Sequence, residues 1–404
     1  IESMLKNSQF VYSFANLRAI VNEYDRQIRN GVPAKEKVAF FFEKEKPLYD
    51  FDTPALIVTQ LGAQEANMNR YLKYPITSVA ILKFIEMNRK LLDDSKGDVV
   101  LGENPHENEL KMEQGLREQA RFDGEMIDYD DQFTGADGLV YALTINRSRK
   151  RITAIFRGTV GNGDIITDAN FFHTTPDVLK NCGVGEKEVK THSGFSSYLF
   201  DQIPEEERMS SNPRSKFERM VAAIQEIYDQ DIAGKPDADE WDLVVSGHSL
   251  GGGLANLFTF AIAKTQNDCK FFDKVTSVTF AAPVVGDDEY NKAFQDLEKK
   301  GAIRQIRVSN EGDVVPTQPV PGYTQNGVNL HLYPEKPVVL DYRNSKLLRP
   351  WWLLNWFGSD PTVLDNHMFP EYRKRLSLAE NASILEKSVN DLYAETAVAK
   401  NFSG

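Results

Sequence analysis

The chain has 404 residues, of which 41% are hydrophobic and 11% aromatic, so it has enough apolar side chains for a large packed core and does not have the composition of a disordered protein. Asp and Glu outnumber Lys and Arg by 59 to 47, giving a formal net charge of −12, which argues against a nucleic-acid-binding protein because such proteins need a basic face. The two cysteines exclude a disulfide-stapled fold and a four-cysteine zinc site.

The amino-terminal region is predicted to be helical. Apolar residues from Phe10 to Tyr24 fall at three- and four-residue spacing, which is typical of one face of a helix. A further helix is predicted over about residues 77–92. We therefore predict an amino-terminal helical extension, residues 1–95, that packs on a larger domain of residues 96–404.

Short apolar runs alternate with helical spacing after residue 131. A helix is predicted around residues 217–228, and the predicted strands are Leu139 to Ile145, Arg151 to Phe156, Leu243 to Val245, Val275 to Phe280 and Ile303 to Val308. This alternation predicts an α/β fold with a mostly parallel central sheet and helices on both faces. In sheets of this kind the ligand binds at the carboxyl ends of the strands.

The segment Gly247 to Gly251 fits the G-x-S-x-G pattern of a nucleophile elbow. A predicted strand, Trp241 to Val245, enters it, and a predicted helix from Leu250 to about Thr265 leaves it. A serine in such a turn projects its hydroxyl above the sheet, and the helix amino terminus offers free N–H groups to a developing oxyanion. The pattern therefore points to Ser249 as a nucleophile.

A serine nucleophile needs a base and an orienting acid, which follow it in the order acid then His in this fold. His331 and His367 are the two histidines after Ser249. His367 is favoured because it lies in a loop before the last helix, whereas His331 lies within a strand-like run. Asp313 follows a predicted strand and is favoured as the acid, with Glu311 as its nearest rival.

Six segments in a fixed order carry a family resemblance. They are Ile152 to Thr159, His192 to Phe195, Val244 to Gly252, Val278 to Gly286, Asp313 to Pro316, and His367. With them the sequence resembles the class 3 lipases, the fungal-type triacylglycerol lipase family of the α/β-hydrolases, over about residues 134 to 370. The larger domain is therefore expected to be an α/β-hydrolase.

The resemblance also implies roles for individual residues. Ser249 would be the nucleophile, Asp313 the orienting acid and His367 the general base. The backbone N–H groups of Thr159 and Leu250 would form the oxyanion hole. No metal and no organic cofactor is implied.

Members of this family carry a lid shortly after the strand that ends near Thr159. Here residues 160–172 place Ile165 and Ile166 on one apolar helix face. The stretch lacks the tryptophan that family lids often carry, which argues against strong activation at a lipid interface. A fixed surface helix is the alternative.

A tryptophan-rich run lies shortly before His367. Residues 347–357 contain Trp351, Trp352 and Trp356, three of the four tryptophans in the chain. Either this run lines the acyl pocket or enters lipid, or it packs against the amino-terminal helices. Both alternatives stay open.

The resemblance implies a lipase that hydrolyses carboxylic ester bonds of acylglycerols through an acyl-enzyme. The alternatives are a phospholipase A1 or galactolipase, a feruloyl-type esterase, and a non-catalytic lipase-like binding protein. The expected partner is a lipid ester at an oil–water or membrane interface.

No transmembrane anchor is expected, because the longest apolar run, Leu250 to Ala263, is shorter than the about 18 residues that span a bilayer. The sequence predicts a soluble chain but neither its oligomeric state nor its compartment. Because it begins with Ile1 rather than Met, loss of an amino-terminal segment from a secreted or organellar precursor is one expectation.

Overall fold

The computed structural model describes residues 1–9, 11–12, 15, 125–130, 139–158, 172–203, 215–265, 272–317, 321–335, 339–341, 365–378 and 382–399. The chain divides into two compact units. The larger unit holds residues 1–8, 133–139 and 148–404, and the smaller holds residues 9–132 and 140–147. The predicted boundary between residues 95 and 96 lies outside the described residues and stays a prediction.

The described strands are numbered in chain order. They are β1 (Glu125–Asp130), β2 (Tyr141–Asn146), β3 (Arg151–Phe156), β4 (His173–Thr174), β5 (Thr191–His192), β6 (Asp242–His248), β7 (Val275–Phe280), β8 (Ile303–Asn310), β9 (Val328–Leu332) and β10 (Val339–Asp341). The α-helices are α1 (Ser193–Phe200), α2 (Lys216–Ile227), α3 (Leu250–Thr265), α4 (Asp288–Lys299), α5 (Phe369–Leu376), α6 (Ala382–Leu385) and α7 (Val389–Ala399).

The larger unit is built on a mostly parallel sheet. Strands β3, β6, β7, β8 and β9 pair in parallel in that order, and β10 runs antiparallel to β9 at the edge. All six residues of β7 are buried, as expected for a parallel strand covered on both faces. The predicted α/β fold with a mostly parallel central sheet is confirmed.

Helix α3, which begins directly after Ser249, is largely buried. Its residues from Gly251 to Ile262 are all buried, and it packs against β3, β6 and β7. A helix that is apolar on every side has to lie inside a protein or a membrane. Here the sheet and α1 cover it, and none of the described helices is long and apolar enough to span a bilayer.

The start of the chain belongs to the larger unit. Residues 2–8 are helical, and Leu5 and Ser8 are buried. The Ser8 hydroxyl lies 2.9 Å from the hydroxyl of Ser246 in β6, which itself donates to Val278 O at 2.8 Å. The predicted amino-terminal helix is therefore present at its beginning, while the predicted helix over about residues 77–92 lies outside the described residues.

The smaller unit contains an antiparallel pair of strands, β1 and β2, with an irregular register between Met126 and Asp128. The Tyr141 hydroxyl donates to Asp128 Oδ2 at 2.9 Å, and both side chains are buried. This hydrogen bond gives a buried carboxylate a donor, which it needs when it is removed from water.

The parallel sheet determines where the functional groups lie. Strand β6 ends at His248, directly before Ser249, and β8 ends at Asn310, three residues before Asp313. Because the carboxyl ends of parallel strands meet at one edge of the sheet, both residues emerge on the same side.

Candidate active site

Ser249 lies in the turn between β6 and α3 with a positive φ of 57°. Residues with a side chain rarely adopt this left-handed region, and they stay there only where the surrounding structure fixes them. Here the Ser249 N–H donates to Phe280 O at 3.0 Å, and Ser249 O accepts from Gly252 N at 2.8 Å. Hydrogen bonds to both the N–H and the carbonyl oxygen of Ser249 thus fix the turn.

Two glycines allow the strands and the helix to meet at this turn. A Cβ atom on Gly247 would lie 2.1 Å from Gly251 O, and one on Gly251 would lie 2.3 Å from Phe156 O. Both contacts are with backbone, which cannot turn aside as a side chain can. Close backbone packing therefore explains why the elbow pattern has glycine at both positions.

His367 joins the serine to an acid. Its Nε2 lies 2.9 Å from Ser249 Oγ, and its Nδ1 lies 3.0 and 3.1 Å from the two carboxylate oxygens of Asp313. All three side chains are buried. The structure thus brings together the three residues that the sequence analysis selected, in a hydrogen-bonded chain that can carry a proton away from the serine hydroxyl.

The Asp313 carboxylate has two further donors. The Val315 N–H donates to its Oδ1 at 3.0 Å, and the Tyr372 hydroxyl donates to its Oδ2 at 2.8 Å. Burial, and then the negative charge of Asp313, raises the pKa of Tyr372 well above its usual value. Tyr372 therefore stays a neutral phenol that donates its proton to the carboxylate.

The sequence analysis did not select Tyr372. It lies in α5, five residues after His367, and its hydroxyl also accepts from Asn310 N at 3.2 Å. No sequence pattern identifies it, because the direction of its side chain depends on how α5 packs against the end of β8.

His248 supports the loop that carries His367. Its Nε2 lies 2.7 Å from the backbone oxygen of His367, and because a carbonyl can only accept, Nε2 carries the proton. Burial, and then the nearby His367, lowers the pKa of His248 well below its usual value. A neutral His248 ring packs against Phe369, with ring centroids 4.2 Å apart.

The two rival candidates are paired with each other. His331 Nε2 lies 2.8 Å from Glu311 Oε2, and its Nδ1 lies 2.9 Å from Ser309 Oγ. Both ring nitrogens of His331 are therefore engaged at the edge formed by β8 and β9.

Leu250 is the first residue of α3. The N–H groups of the first helical turn have no acceptor within the helix and carry partial positive charge. The Leu250 N–H therefore has no acceptor within its own helix, and it stays the predicted oxyanion donor. The other predicted oxyanion, lid and acyl-binding residues lie outside the described residues and stay predictions: Thr159, Ile165, Ile166, Trp351, Trp352 and Trp356.

Within the described ranges, no group of three or more His, Cys, Asp or Glu side chains is arranged to hold a metal ion.

Comparison with known proteins gives one family. Residues 153–322 match the family model described as Lipase (class 3). Among curated proteins, the chain is similar to phospholipase A1-II 4 of Oryza sativa subsp. japonica, with 30% identity over 45% of the chain and 43% of the relative. It is also similar to phospholipase A1-IIgamma of Arabidopsis thaliana, with 30% identity over 53% of the chain and 47% of the relative. The chain thus spans less than half the length of each.

Two fungal lipases are among the solved structures that match part of the chain. Triacylglyceride lipase of Rhizomucor miehei is 20% identical, with a TM-score of 0.43 over 62% of this chain and 82% of that one. A lipase of Yarrowia lipolytica is 22% identical, with a TM-score of 0.43 over 61% of this chain and 79% of that one.

Proposed function

We propose that the chain is a serine hydrolase that cleaves carboxylic ester bonds of lipids, because residues 153–322 match the family model of the class 3 lipases. The observation that carries the proposal is the hydrogen-bonded chain of Ser249, His367 and Asp313, with the serine in a strained turn at the start of a buried helix. Each part has a task in acyl transfer.

In the first half of the reaction, Ser249 Oγ attacks the carbonyl carbon of the ester while His367 Nε2 takes the hydroxyl proton. Asp313 orients the ring and stabilises its positive charge. The ester C–O bond then breaks, and the same proton passes from His367 to the departing alcohol. The acyl group stays on Ser249.

In the second half, water attacks the acyl-enzyme and gives a proton to His367. The bond between the acyl carbon and Ser249 Oγ breaks, the serine recovers its proton, and a free acid leaves. In both halves the negative oxygen of the tetrahedral intermediate is expected to accept from Leu250 N–H and Thr159 N–H. Loss of one such donor typically costs about 10²–10³-fold in turnover.

We propose glycerolipids as the substrate class. Acylglycerols are the first candidate, because the resemblance is to triacylglycerol lipases. Phospholipids cleaved at the sn-1 position are an equally supported second candidate, because the similar plant proteins are named phospholipase A1. The triad is common to both reactions, so head-group preference depends on residues around it.

A labelling experiment tests the proposed chemistry. The native protein is expected to react with a fluorophosphonate probe, and Ser249→Ala is expected not to react. Ser246→Ala is a matched control, since Ser246 lies buried in β6, the strand that leads to Ser249, but bonds to Ser8 and Val278. Equal labelling of native protein and Ser249→Ala, or no labelling of native protein, would contradict the proposal.

A substrate panel then separates the two glycerolipid candidates. Triacylglycerol emulsions and phosphatidylcholine vesicles carrying a labelled sn-1 chain are compared under the same conditions. Release of fatty acid from the emulsion alone supports a lipase, and release of the labelled chain alone supports a phospholipase A1. Cleavage of only short, soluble esters would exclude both.

A further inference from the structure

Arg375 is a buried charge next to the site described above but not part of it. It lies in α5 with 2% of its surface exposed. Its Nη1 donates to two backbone oxygens, those of Glu311 at 2.9 Å and Leu332 at 3.1 Å. Its Nη2 donates to Asn366 Oδ1 at 2.6 Å. One guanidinium therefore reaches three separate segments of the chain.

Two of these segments carry the proposed acid and base. Glu311 lies two residues before Asp313, in the turn after β8, and Asn366 directly precedes His367. The same two segments also bond to each other, because Asn310 Nδ2 donates to Asn366 O at 2.8 Å. From its position in α5, Arg375 thus links the turn that carries Asp313 to the loop that carries His367.

The third segment connects this arrangement to the central sheet. Leu332 is the last residue of β9, and its backbone oxygen accepts from Glu311 N at 2.8 Å as well as from Arg375. The turn after β8 is therefore tied to the end of the neighbouring strand. The guanidinium completes this link and extends it to Asn366.

Arginine suits this position better than lysine. A guanidinium has five N–H donors in a rigid plane, whereas an ammonium has a single nitrogen on a flexible stem. A third nitrogen of Arg375, Nε, donates to Glu371 Oε1 at 2.8 Å. This ion pair within α5 holds the plane so that its other two nitrogens face the two loops.

We propose that Arg375 is a positioning residue that sets the contact between His367 and Asp313 by fixing the two loops that carry them. This inference rests on the proposed serine hydrolase function. Arg375 itself touches none of the reacting atoms. Without its three contacts, the two loops would lose this shared link and keep the bond from Asn310 to Asn366, the bonds of the triad, and the bonds that Tyr372 and His248 make to them.

The test compares Arg375→Met with Lys374→Met, its neighbour in α5. Lys374 is exposed and contacts the same Glu371 at 3.4 Å, so the pair matches the loss of a basic side chain with and without the loop contacts. We expect Arg375→Met to lower kcat by about 10- to 100-fold, because small displacements of catalytic groups have effects of this size. KM is expected to stay within about twofold, and Lys374→Met is expected to behave as native.

The pH profile distinguishes positioning from simple loss of folded protein. Asp313 orients the ring of His367 through Nδ1, so a loosened contact is expected to change the shape of the pH profile of kcat/KM in Arg375→Met. A purely structural role would lower the amount of active enzyme and leave the profile where it is. Arg375→Lys is expected to restore only part of the kcat.

A second variant keeps the test decisive if Arg375→Met does not fold. Asn366→Ala removes only the contact to the loop of the base, and a smaller change in kcat and pH profile in the same direction is expected. A folded Arg375→Met, or failing that a folded Asn366→Ala, with native kcat and pH profile would overturn the inference while the labelling of Ser249 stands. Failure of the native protein to label would instead remove the proposed function, and this inference with it.

Discussion

Asp313 shows how a single carboxylate can be prepared for one role. It accepts hydrogen bonds from a backbone N–H, a tyrosine hydroxyl and the imidazole of His367, all without access to water. Such donors stabilise the charged form of a buried carboxylate. They also fix its direction, so that it presents an acceptor to His367 Nδ1 and keeps Nε2 available for the serine.

Asp313→Asn tests this directional role. An amide can present its NH₂ group to Nδ1, which favours the wrong tautomer of His367 and places a proton on Nε2. We expect kcat to fall by up to about 10⁴-fold, the size of the effect that the same change has in a serine protease triad. The measurement is ester hydrolysis, with circular dichroism as the control for folding. A loss below tenfold would mean that Asp313 does not orient the base.

Tyr372→Phe removes one of the donors to Asp313 without changing the shape of the side chain. A hydrogen bond to a charged group contributes about 1.5–3 kcal/mol, so a loss of stability in that range and a lower kcat are both expected. Stability is measured by urea unfolding and kcat by ester hydrolysis.

Tyr290→Phe is the matched control for this prediction. Tyr290 in α4 is also fully buried, and its hydroxyl donates to Asn256 Oδ1 in α3 at 2.8 Å. It is expected to lose stability and keep its kcat. An equal fall in kcat for both variants would show that Tyr372 acts through folding alone.

At the scale of elements, the sequence predicts what is local. Helix α3 begins and ends where its pattern indicates, at Leu250 and Thr265, and β7 has the predicted bounds from Val275 to Phe280. Helix α3 directly follows the G-x-S-x-G turn, and β7 is rich in the β-branched residues that favour strands. The order of motifs was also enough to select the three triad residues that the structure brings together.

Contacts between distant segments are the part that the sequence does not reveal. The Tyr372 hydroxyl reaches Asp313 across 59 positions, and Arg375 reaches the oxygen of Glu311 across 64. A tyrosine and an arginine in an amphipathic helix have no feature that marks them as buried donors. Their roles follow from the packing of α5 against the ends of β8 and β9, which only a three-dimensional arrangement defines.

The close approach of α3 to the sheet gives a prediction at this scale. In Gly251→Ala the new Cβ would meet the backbone of Phe156 at 2.3 Å, whereas in Gly253→Ala it would meet the ring of Phe195 at 2.9 Å. A ring can turn aside, but a strand backbone cannot. Both changes gain about 1 kcal/mol in helix propensity, so the difference between them isolates the clash.

We therefore expect Gly251→Ala to be destabilised by about 1–3 kcal/mol or more, and Gly253→Ala to be closer to the native protein. Urea unfolding of the two variants provides the measurement. Equal stability would mean that β3 and α3 can separate slightly without cost, and that the glycine is not required by packing.

At the scale of the whole molecule, buried neutral histidines make stability depend on pH. Burial, and then the charge of His173, lowers the pKa of His192 from 6.5 to about 4. The unfolded chain therefore binds a proton that the folded chain does not bind between these values. The contribution of His192 to the free energy of unfolding is therefore fully present above about pH 6.5. It decreases as the pH falls towards 4, by up to about 1.4 kcal/mol per pH unit.

His192→Asn is expected to reduce this acid sensitivity. His192 Nδ1 accepts from Gly194 N at 3.1 Å at the start of α1, and asparagine can supply the same capping acceptor without titrating. Urea unfolding at pH 7.5 and pH 5 should show a smaller loss of stability in the variant than in the native protein. An identical loss in both would mean that His192 is not protonated on unfolding in this range.

The hydrogen bond from Ser249 N to Phe280 O also has a consequence for the order of folding. Ser249 can be held in its left-handed conformation only after β7 has docked beside β6, and His367 must then arrive from 118 positions along the chain. Contacts between such distant residues form late because loop closure is slow and costs entropy. We therefore expect the arrangement of Ser249 with His367 to form only at the end of folding.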